Sequence, residues 1–115
     1  MGDDQVMAAT SLALLGDEQL RKARGVRSGR SAVTLHGGRG RALRQTLMAL
    51  RSGAALGEHE SPGEATLQVL VGRVRLSLAA GQSLELAAGD HVVIPARRHD
   101  LAADEDAVVL LTVAS

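Results

Sequence analysis

The side chains best suited to chemistry in this sequence are four histidines, at positions 36, 59, 91 and 99. An imidazole can bind a divalent metal ion, transfer a proton near neutral pH or hydrogen-bond a polar ligand. The sequence contains no cysteine, which excludes disulfide bonds, thiolate metal sites and thiol nucleophiles. The histidines are therefore the first candidates for a functional site.

Known hydrolase motifs do not account for these histidines. His59-Glu60 begins like the zinc-protease motif HExxH, but Gly63 occupies the second histidine position and Pro62 would break the required helix. His36 precedes two glycines, as in an esterase oxyanion loop, yet the sequence has no GxSxG nucleophile motif. The sequence supports neither type of hydrolase.

Length and composition limit the elements that can position a site. The chain has 115 residues, the size of one domain, and contains no Phe, Tyr or Trp. The missing rings remove the platforms on which single-stranded nucleic acids stack. The net charge is zero, so no overall field attracts DNA or an anionic membrane, and no apolar run is long enough to span one. We therefore expect a cytoplasmic protein without a nucleic-acid or membrane partner.

The charges are unevenly distributed along the chain. Residues 21–51 include nine Arg or Lys and no acid, whereas residues 52–115 include nine acids and four Arg. One interpretation is a patch for nucleic acid or a protein partner; the other is two complementary surfaces that pack within the chain or across a dimer. The zero net charge favours the second interpretation. Arg outnumbers Lys twelve to one, which indicates a GC-rich bacterial genome.

The N-terminal part predicts one short helix over residues 11–24. Leu12, Leu15 and Leu20 can share one face, and Gly25 would end the helix. Residues 1–10 contain little that could be buried, so we expect a flexible N-terminus.

Short apolar runs separated by glycine-containing turns predict strands through most of the remaining chain. They lie at residues 31–35, 66–71, 73–78, 82–86, 91–94 and 107–113. Residues 41–51 are ambiguous, because their leucines recur at helical spacing. Many short strands, spaced by about ten residues, are typical of a β-sandwich or a small barrel.

A stretch that begins at Gly53 resembles the first motif of the cupin family, G-x5-HxH-x3-E-x6-G. Gly53 and Gly72 occupy the two glycine positions, and His59 occupies the first histidine position. Ser61 stands at the second histidine position and Ala65 at the glutamate position.

A second stretch resembles the second cupin motif, G-x5-P-x-G-x2-H-x3-N. Gly89 and Pro95 match in place, His99 lies one position early, and Ala103 stands at the final asparagine position. The resemblance to a small single-domain cupin implies an all-β fold, a double-stranded β-helix or jelly-roll barrel, as one domain over residues 11–115. It also implies that residues 43–50 form a strand and that the motif histidines converge inside the barrel.

The resemblance implies a metal site of three histidines and one glutamate, of which this sequence keeps only His59 and His99. Two ligands are too few for tight binding of a divalent ion. Glu64 and His91 are further candidate ligands, although Glu64 would point outward if the strand is regular. We therefore expect no tightly bound metal, while weak binding of a divalent metal ion stays open.

The functional hypothesis that follows is a ligand-binding or sensing module with a barrel pocket around His59 and His99. Ser61, Gln45 and Gln68 are candidate hydrogen-bonding groups for a small-molecule ligand. The alternative is a metal-dependent cupin enzyme, of the dioxygenase or isomerase type, with a non-standard ligand set. Because cupins commonly pair and an open sheet has edges to cover, we also expect a homodimer.

Overall fold

The computed structural model of the chain describes residues 7–60 and 63–114. Within these ranges it has one helix and eight strands: α1 (Leu12–Arg24), β1 (Arg30–His36), β2 (Leu43–Leu50), β3 (Glu64–Val71), β4 (Arg73–Leu78), β5 (Ser83–Ala87), β6 (His91–Val93), β7 (His99–Ala103) and β8 (Ala107–Ala114). Most of the N-terminus predicted to be flexible, residues 1–6, lies outside the described residues, and so does Ser61.

The strands form two antiparallel sheets that face each other as a jelly-roll barrel. One sheet has the order β1-β2-β8-β3-β6 and the other has the order β5-β4-β7. The segment that precedes β3 extends the smaller sheet, because Ala55 and His59 bridge to Ala102 and His99 of β7. The predicted all-β fold with a short N-terminal helix is confirmed.

The interior of the barrel is filled by aliphatic side chains from both sheets. Strand β3 shows how the sequence produces this core, since Ala65, Leu67 and Val69 point inward and are buried while Gln68 between them is exposed. This alternation follows from the two-residue repeat of an extended chain. The other strands contribute mainly Leu, Val and Ala, and Ile94 follows β6.

Helix α1 covers the outer face of the larger sheet over β1 and β2. It begins after Ser11, whose Oγ accepts a hydrogen bond from the Leu14 backbone N–H at 3.2 Å, and it ends at Gly25. Leu20 and Ala23 pack on the outward-facing residues of β2 and β8, which form a second apolar cluster. Within the described ranges no helix is both long and apolar enough to cross a bilayer.

The basic segment meets the acidic part of the chain at the end of α1. The Arg24 Nε donates a 2.8 Å hydrogen bond to the carboxylate of Asp106, which precedes β8. Other ion pairs, such as Arg75 with Asp104, join residues within the acidic part. Complementary packing within the chain therefore accounts for part of the charge asymmetry.

Two strands differ from what local patterns alone predict. Residues 43–50 form β2 rather than a helix, as the cupin resemblance implied, because both edges of this strand are hydrogen-bonded, to β1 and to β8. Strand β7 was not predicted, since its sequence His-Asp-Leu-Ala-Ala is poor in β-branched residues. Its pairing with β4 on one side and with residues 55–59 on the other determines its conformation.

Candidate functional site

His59 and His99 form a closely hydrogen-bonded pair where the segment before β3 meets β7. The backbone N–H of each histidine donates to the backbone carbonyl of the other, and both distances are 2.9 Å. The two imidazole rings pack edge to face, with ring centroids 4.4 Å apart and an angle of 63° between the planes. The fold thus brings into contact two residues that lie forty positions apart in the sequence.

The hydrogen bonds of the two rings determine which nitrogen carries the proton. The Nδ1 of His59 lies 2.8 Å from the carbonyl oxygen of Gly57, and the Nδ1 of His99 lies 2.7 Å from that of Arg97. A carbonyl oxygen can only accept a hydrogen bond, so each Nδ1 donates one. In the neutral rings the Nε2 atoms therefore keep their lone pairs and can accept a hydrogen bond from a ligand.

The two rings differ in their exposure to solvent. His99 points into the barrel and is only 1% exposed, whereas His59 lies at the surface. The cavity between them and the aliphatic core measures about 20 Å³. This volume is enough for roughly one water molecule. The interior pocket that the cupin resemblance implied is therefore almost filled, because leucine, valine and methionine side chains occupy the barrel.

A larger groove lies on the outer side of His59, between β1 and the segment before β3. Its volume is about 480 Å³, and its lining residues are Ser28, Arg30, Ser31, Ala32, Met48, Leu56 and His59. Met48, Leu56 and His59 also line the small interior cavity, so these three side chains separate the groove from the barrel interior. The open end of the barrel, rather than its interior, offers room for a small molecule.

The other residues predicted to belong to the site lie away from this pair. Glu64 is exposed at the start of β3, because the adjacent Ala65 takes the inward position. His91 is exposed on β6, where it pairs with Gln68 on the neighbouring strand. The structure does not describe Ser61.

Both candidate glutamines lie on the outer face of the larger sheet. Gln45 Nε2 is 3.4 Å from Thr112 Oγ1, on the face that α1 partly covers. Gln68 is exposed, between two residues that point into the barrel. Neither glutamine reaches the histidine pair, since each occupies a position of its strand that points away from the barrel interior. Conversely, Arg30 and Met48 line the groove although they belong to no motif.

The described residues do not fit a tight metal centre of the three-histidine, one-glutamate kind. In the ranges 7–60 and 63–114, no group of three or more His, Asp or Glu side chains is arranged to hold a metal ion. His59 and His99 supply two imidazoles, and the small cavity between them is otherwise lined by aliphatic side chains and Met48. A stable zinc or iron site takes at least three protein ligands.

Comparisons with known proteins bear on the fold. No family model and no curated protein matches this chain. Among solved structures, a conserved protein of unknown function from Streptococcus pyogenes aligns with a TM-score of 0.73 and 23% identity, over 96% of this chain and 90% of that one. A cupin 2 conserved barrel domain protein from Salinispora arenicola aligns with a TM-score of 0.71 and 20% identity, over 96% and 91%.

Enzymes also contain this barrel as part of a longer chain. Salicylate 1,2-dioxygenase from Pseudoaminobacter salicylatoxidans aligns with a TM-score of 0.74 and 21% identity, over 88% of this chain but 32% of the enzyme. These matches agree with the two facing sheets described above. The chain therefore has the fold of a small, single-barrel cupin.

Proposed function

We propose that this cupin is a small-molecule-binding module whose site is the groove beside the His59–His99 pair. The observation that carries the proposal is that His59 lines the groove while its ring is held against His99 and its Nδ1 is bound to a backbone carbonyl. This arrangement leaves one hydrogen-bonding atom, Nε2, available on a ring whose orientation is fixed. A pre-oriented polar group beside an apolar surface is the usual composition of a ligand site.

The dimensions of the groove support the same proposal. A volume of about 480 Å³ lies within the range of small-molecule sites, roughly 300–1,000 Å³. Ala32, Met48 and Leu56 provide an apolar wall, whereas Arg30 and His59 provide polar groups. A ligand with a short apolar body and one polar end would contact both parts.

Three probes with the same apolar body test this proposal: hexanol, hexanamide and hexanoate. Each is titrated into the isotope-labelled protein while NMR spectra record the ring nitrogens of the histidines and the methyl group of Met48. We expect at least one probe to shift the His59 Nε2 and Met48 methyl signals in a saturable way. The His91 ring signals should stay unchanged, because this residue is exposed on a distant strand.

His59→Ala and His91→Ala form the matched pair of variants for this experiment. Both replace an exposed histidine, but only the first removes a group that lines the groove. His59→Ala should weaken the binding of hexanol and hexanamide several-fold, because these two probes can donate a hydrogen bond to Nε2 and one hydrogen bond contributes about 0.5–1.5 kcal/mol. The proposal would be wrong if no probe shifted the His59 and Met48 signals at millimolar concentration, or if both variants bound as the wild type does.

A metal-dependent enzyme is the second candidate, and one observation favours it. Both histidines donate Nδ1–H to carbonyl groups and leave Nε2 free, which is the usual state of metal-binding histidines. One neighbour in fold is a dioxygenase. The candidate requires a further ligand, because Glu64 and His91 lie on the outside of the barrel. Addition of Zn²⁺ to the same NMR sample distinguishes the binding module from the enzyme. Shifts of both Nε2 signals that saturate at one equivalent of Zn²⁺ would favour the enzyme.

A further inference from the structure

We propose that the groove selects small carboxylates, with Arg30 as the residue that binds the negative charge. This inference rests on the proposed function, because it assigns a ligand class to the same groove. It concerns a residue that no motif includes. Its support comes from the hydrogen bonds of Arg30, the charges around the groove and the apolar wall opposite.

The Arg30 guanidinium is held in place by a single bond across the mouth of the groove. Arg30 begins β1, and its Nη1 donates a 2.8 Å hydrogen bond to the carbonyl oxygen of Ala55 on the opposite segment. A guanidinium has five N–H donors in a planar fork, so several remain for another acceptor. Arg30 forms no salt bridge with the acidic side chains that the structure describes. A carboxylate would therefore meet a charged donor that is already oriented and that pairs with no acid in the ranges 7–60 and 63–114.

The side of the groove next to β1 is positively charged. The Arg51 backbone N–H donates to Gly29 O at 2.8 Å, and its Nη2 donates to Arg27 O at 3.3 Å, which places a second guanidinium next to the start of β1. No carboxylate belongs to the described lining of the groove. Of the two acids adjacent to His59 in sequence, Glu58 pairs with Arg98 at 3.7 Å and Glu60 is exposed outside the lining of the groove. This distribution favours an anionic over a neutral or cationic ligand.

The apolar wall distinguishes a carboxylate with a hydrocarbon body from a bare anion. Ala32, Met48 and Leu56 line the same groove as Arg30, and the thioether of Met48 is flexible enough to adapt to different bodies. Inorganic phosphate would reach the guanidinium but would leave this wall exposed to water. Burial of apolar area favours binding, so the six-carbon chain of hexanoate should lower its Kd relative to that of phosphate.

Calorimetric titration with hexanoate, hexanamide and inorganic phosphate tests the inference. Hexanoate and hexanamide differ in the charge of one end, so their ratio of Kd values reports the contribution of that charge. For the wild type we expect hexanoate to bind about tenfold more tightly than hexanamide, and more tightly than phosphate. The preference should weaken as salt is added, since the guanidinium lies at the surface.

Two substitutions of Arg30 and one control assign this preference to its side chain. Arg30→Met keeps the length of the side chain and should abolish the preference for hexanoate over hexanamide. Arg30→Lys keeps the charge but loses the planar fork, so it should retain part of the preference. This variant also tests the inference if Arg30→Met proves unstable. Arg41→Met removes an exposed arginine that does not line the groove, and should retain all of it.

Equal binding of hexanoate and hexanamide to the wild type would overturn this inference and leave the proposed function intact. Persistence of the full preference in both Arg30 variants would also overturn it. Binding of phosphate as tightly as hexanoate would refute the role of the apolar wall. If neither these ligands nor hexanol bound, neither the inference nor the proposed function would stand.

Discussion

The carboxylate of Asp106 joins the end of α1 to the barrel. Its Oδ1 accepts a 2.7 Å hydrogen bond from the Ser52 backbone N–H, and its Oδ2 accepts one of 2.8 Å from Arg24 Nε. The Ser52 hydrogen bond, followed by that of Arg24, lowers the pKa of Asp106 below the usual 3.8. The folded state therefore favours the ionised form of this side chain.

We expect Asp106→Asn to lower the free energy of unfolding by about 1 kcal/mol near neutral pH, because charge-assisted hydrogen bonds at a partly exposed site are lost. The folded-state pKa is depressed, so the contribution of Asp106 is complete above the unfolded pKa and is lost as the pH falls through the folded one. The difference between wild type and variant should thus shrink below pH 3.8. Urea unfolding followed by circular dichroism measures it, since the chain has no fluorescent aromatic residue.

The matched control for this experiment is Asp17→Asn. Asp17 is exposed on α1 and forms no salt bridge with the residues that the structure describes. This change should alter stability by less than about 0.5 kcal/mol. An Asp106→Asn variant as stable as the wild type near neutral pH, or a difference that grew on acidification, would contradict the assigned hydrogen bonds.

Individual site residues were only partly predictable from the sequence. The motif spacing predicted that His59 and His99 lie close together, and the structure places their rings in contact. The motif could not show that Gln45 and Gln68 lie outside the barrel, because their inward or outward position depends on strand register. Arg30 gave no signal beyond its place in a basic segment. Its role depends on the proximity of β1 to residue 55, which only the folded chain provides.

At the scale of elements, Gly72 allows the chain to pass from one sheet to the other. It joins β3 to β4 with a φ of +79°, and a Cβ added there would lie 2.0 Å from the carbonyl oxygen of Asp106. Any side chain would displace the turn that precedes β8. This requirement gives a physical reason for glycine at position 72, the end of the stretch that resembles the first cupin motif.

We expect Gly72→Ala to destabilise the protein by roughly 3–4 kcal/mol, because it adds a backbone clash to an unfavourable φ. Gly81→Ala is the control. Gly81 also has a positive φ, of +105°, but an added Cβ would meet nothing within 4 Å. Its cost should be about 1–2 kcal/mol. Thermal or urea unfolding compares the stabilities of the two variants. Equal losses of stability would show that the contact between a Cβ at position 72 and the Asp106 carbonyl oxygen is unimportant.

The elements themselves were largely predictable. Strand β4 has the bounds that alternation predicted, and α1 lies between the predicted N-terminal and C-terminal residues. The prediction of strand β2 required the family resemblance, since its leucines fit a helix as well as a strand. Strand β7 has no local signal, because alanine and aspartate have low β propensity and the hydrogen bonds that hold it come from residues distant in sequence.

At the scale of the whole molecule, two apolar clusters share one sheet. Leu67 belongs to the barrel cluster, and Leu20 belongs to the cluster under α1. Strands β2 and β8 separate the clusters and contribute to both, with Val108 on the helix side and Val109 on the barrel side. Loss of either cluster would therefore disturb strands that the other needs.

We expect Leu20→Ala and Leu67→Ala each to lower stability by about 2–4 kcal/mol, because both leucines are buried. Each variant should still unfold in a single transition, with the denaturant dependence of the wild type. Calorimetry and urea unfolding provide the measurement. A separate, earlier transition in Leu20→Ala would show that α1 and its cluster unfold independently.

The overall architecture was predictable because a chain with many short, alternating apolar runs has few ways to bury them. Assembly and location were not predictable in the same way. The homodimer and the cytoplasmic location stay predictions. Leu84 and Val93, on the edge strands β5 and β6, are among the exposed large apolar residues.

The reciprocal amide bonds between His59 and His99 combine an accessible ring with an anchored backbone. Neither amide can exchange its hydrogen with water until this bridge opens, so the two bonds join the segment that carries the surface imidazole to β7. The freedom left to the His59 side chain is torsional, and its Nδ1 contact to Gly57 restricts even that. A ligand that binds from solvent would therefore order few additional groups at His59. The entropy cost of ordering this part of the protein on binding would be small.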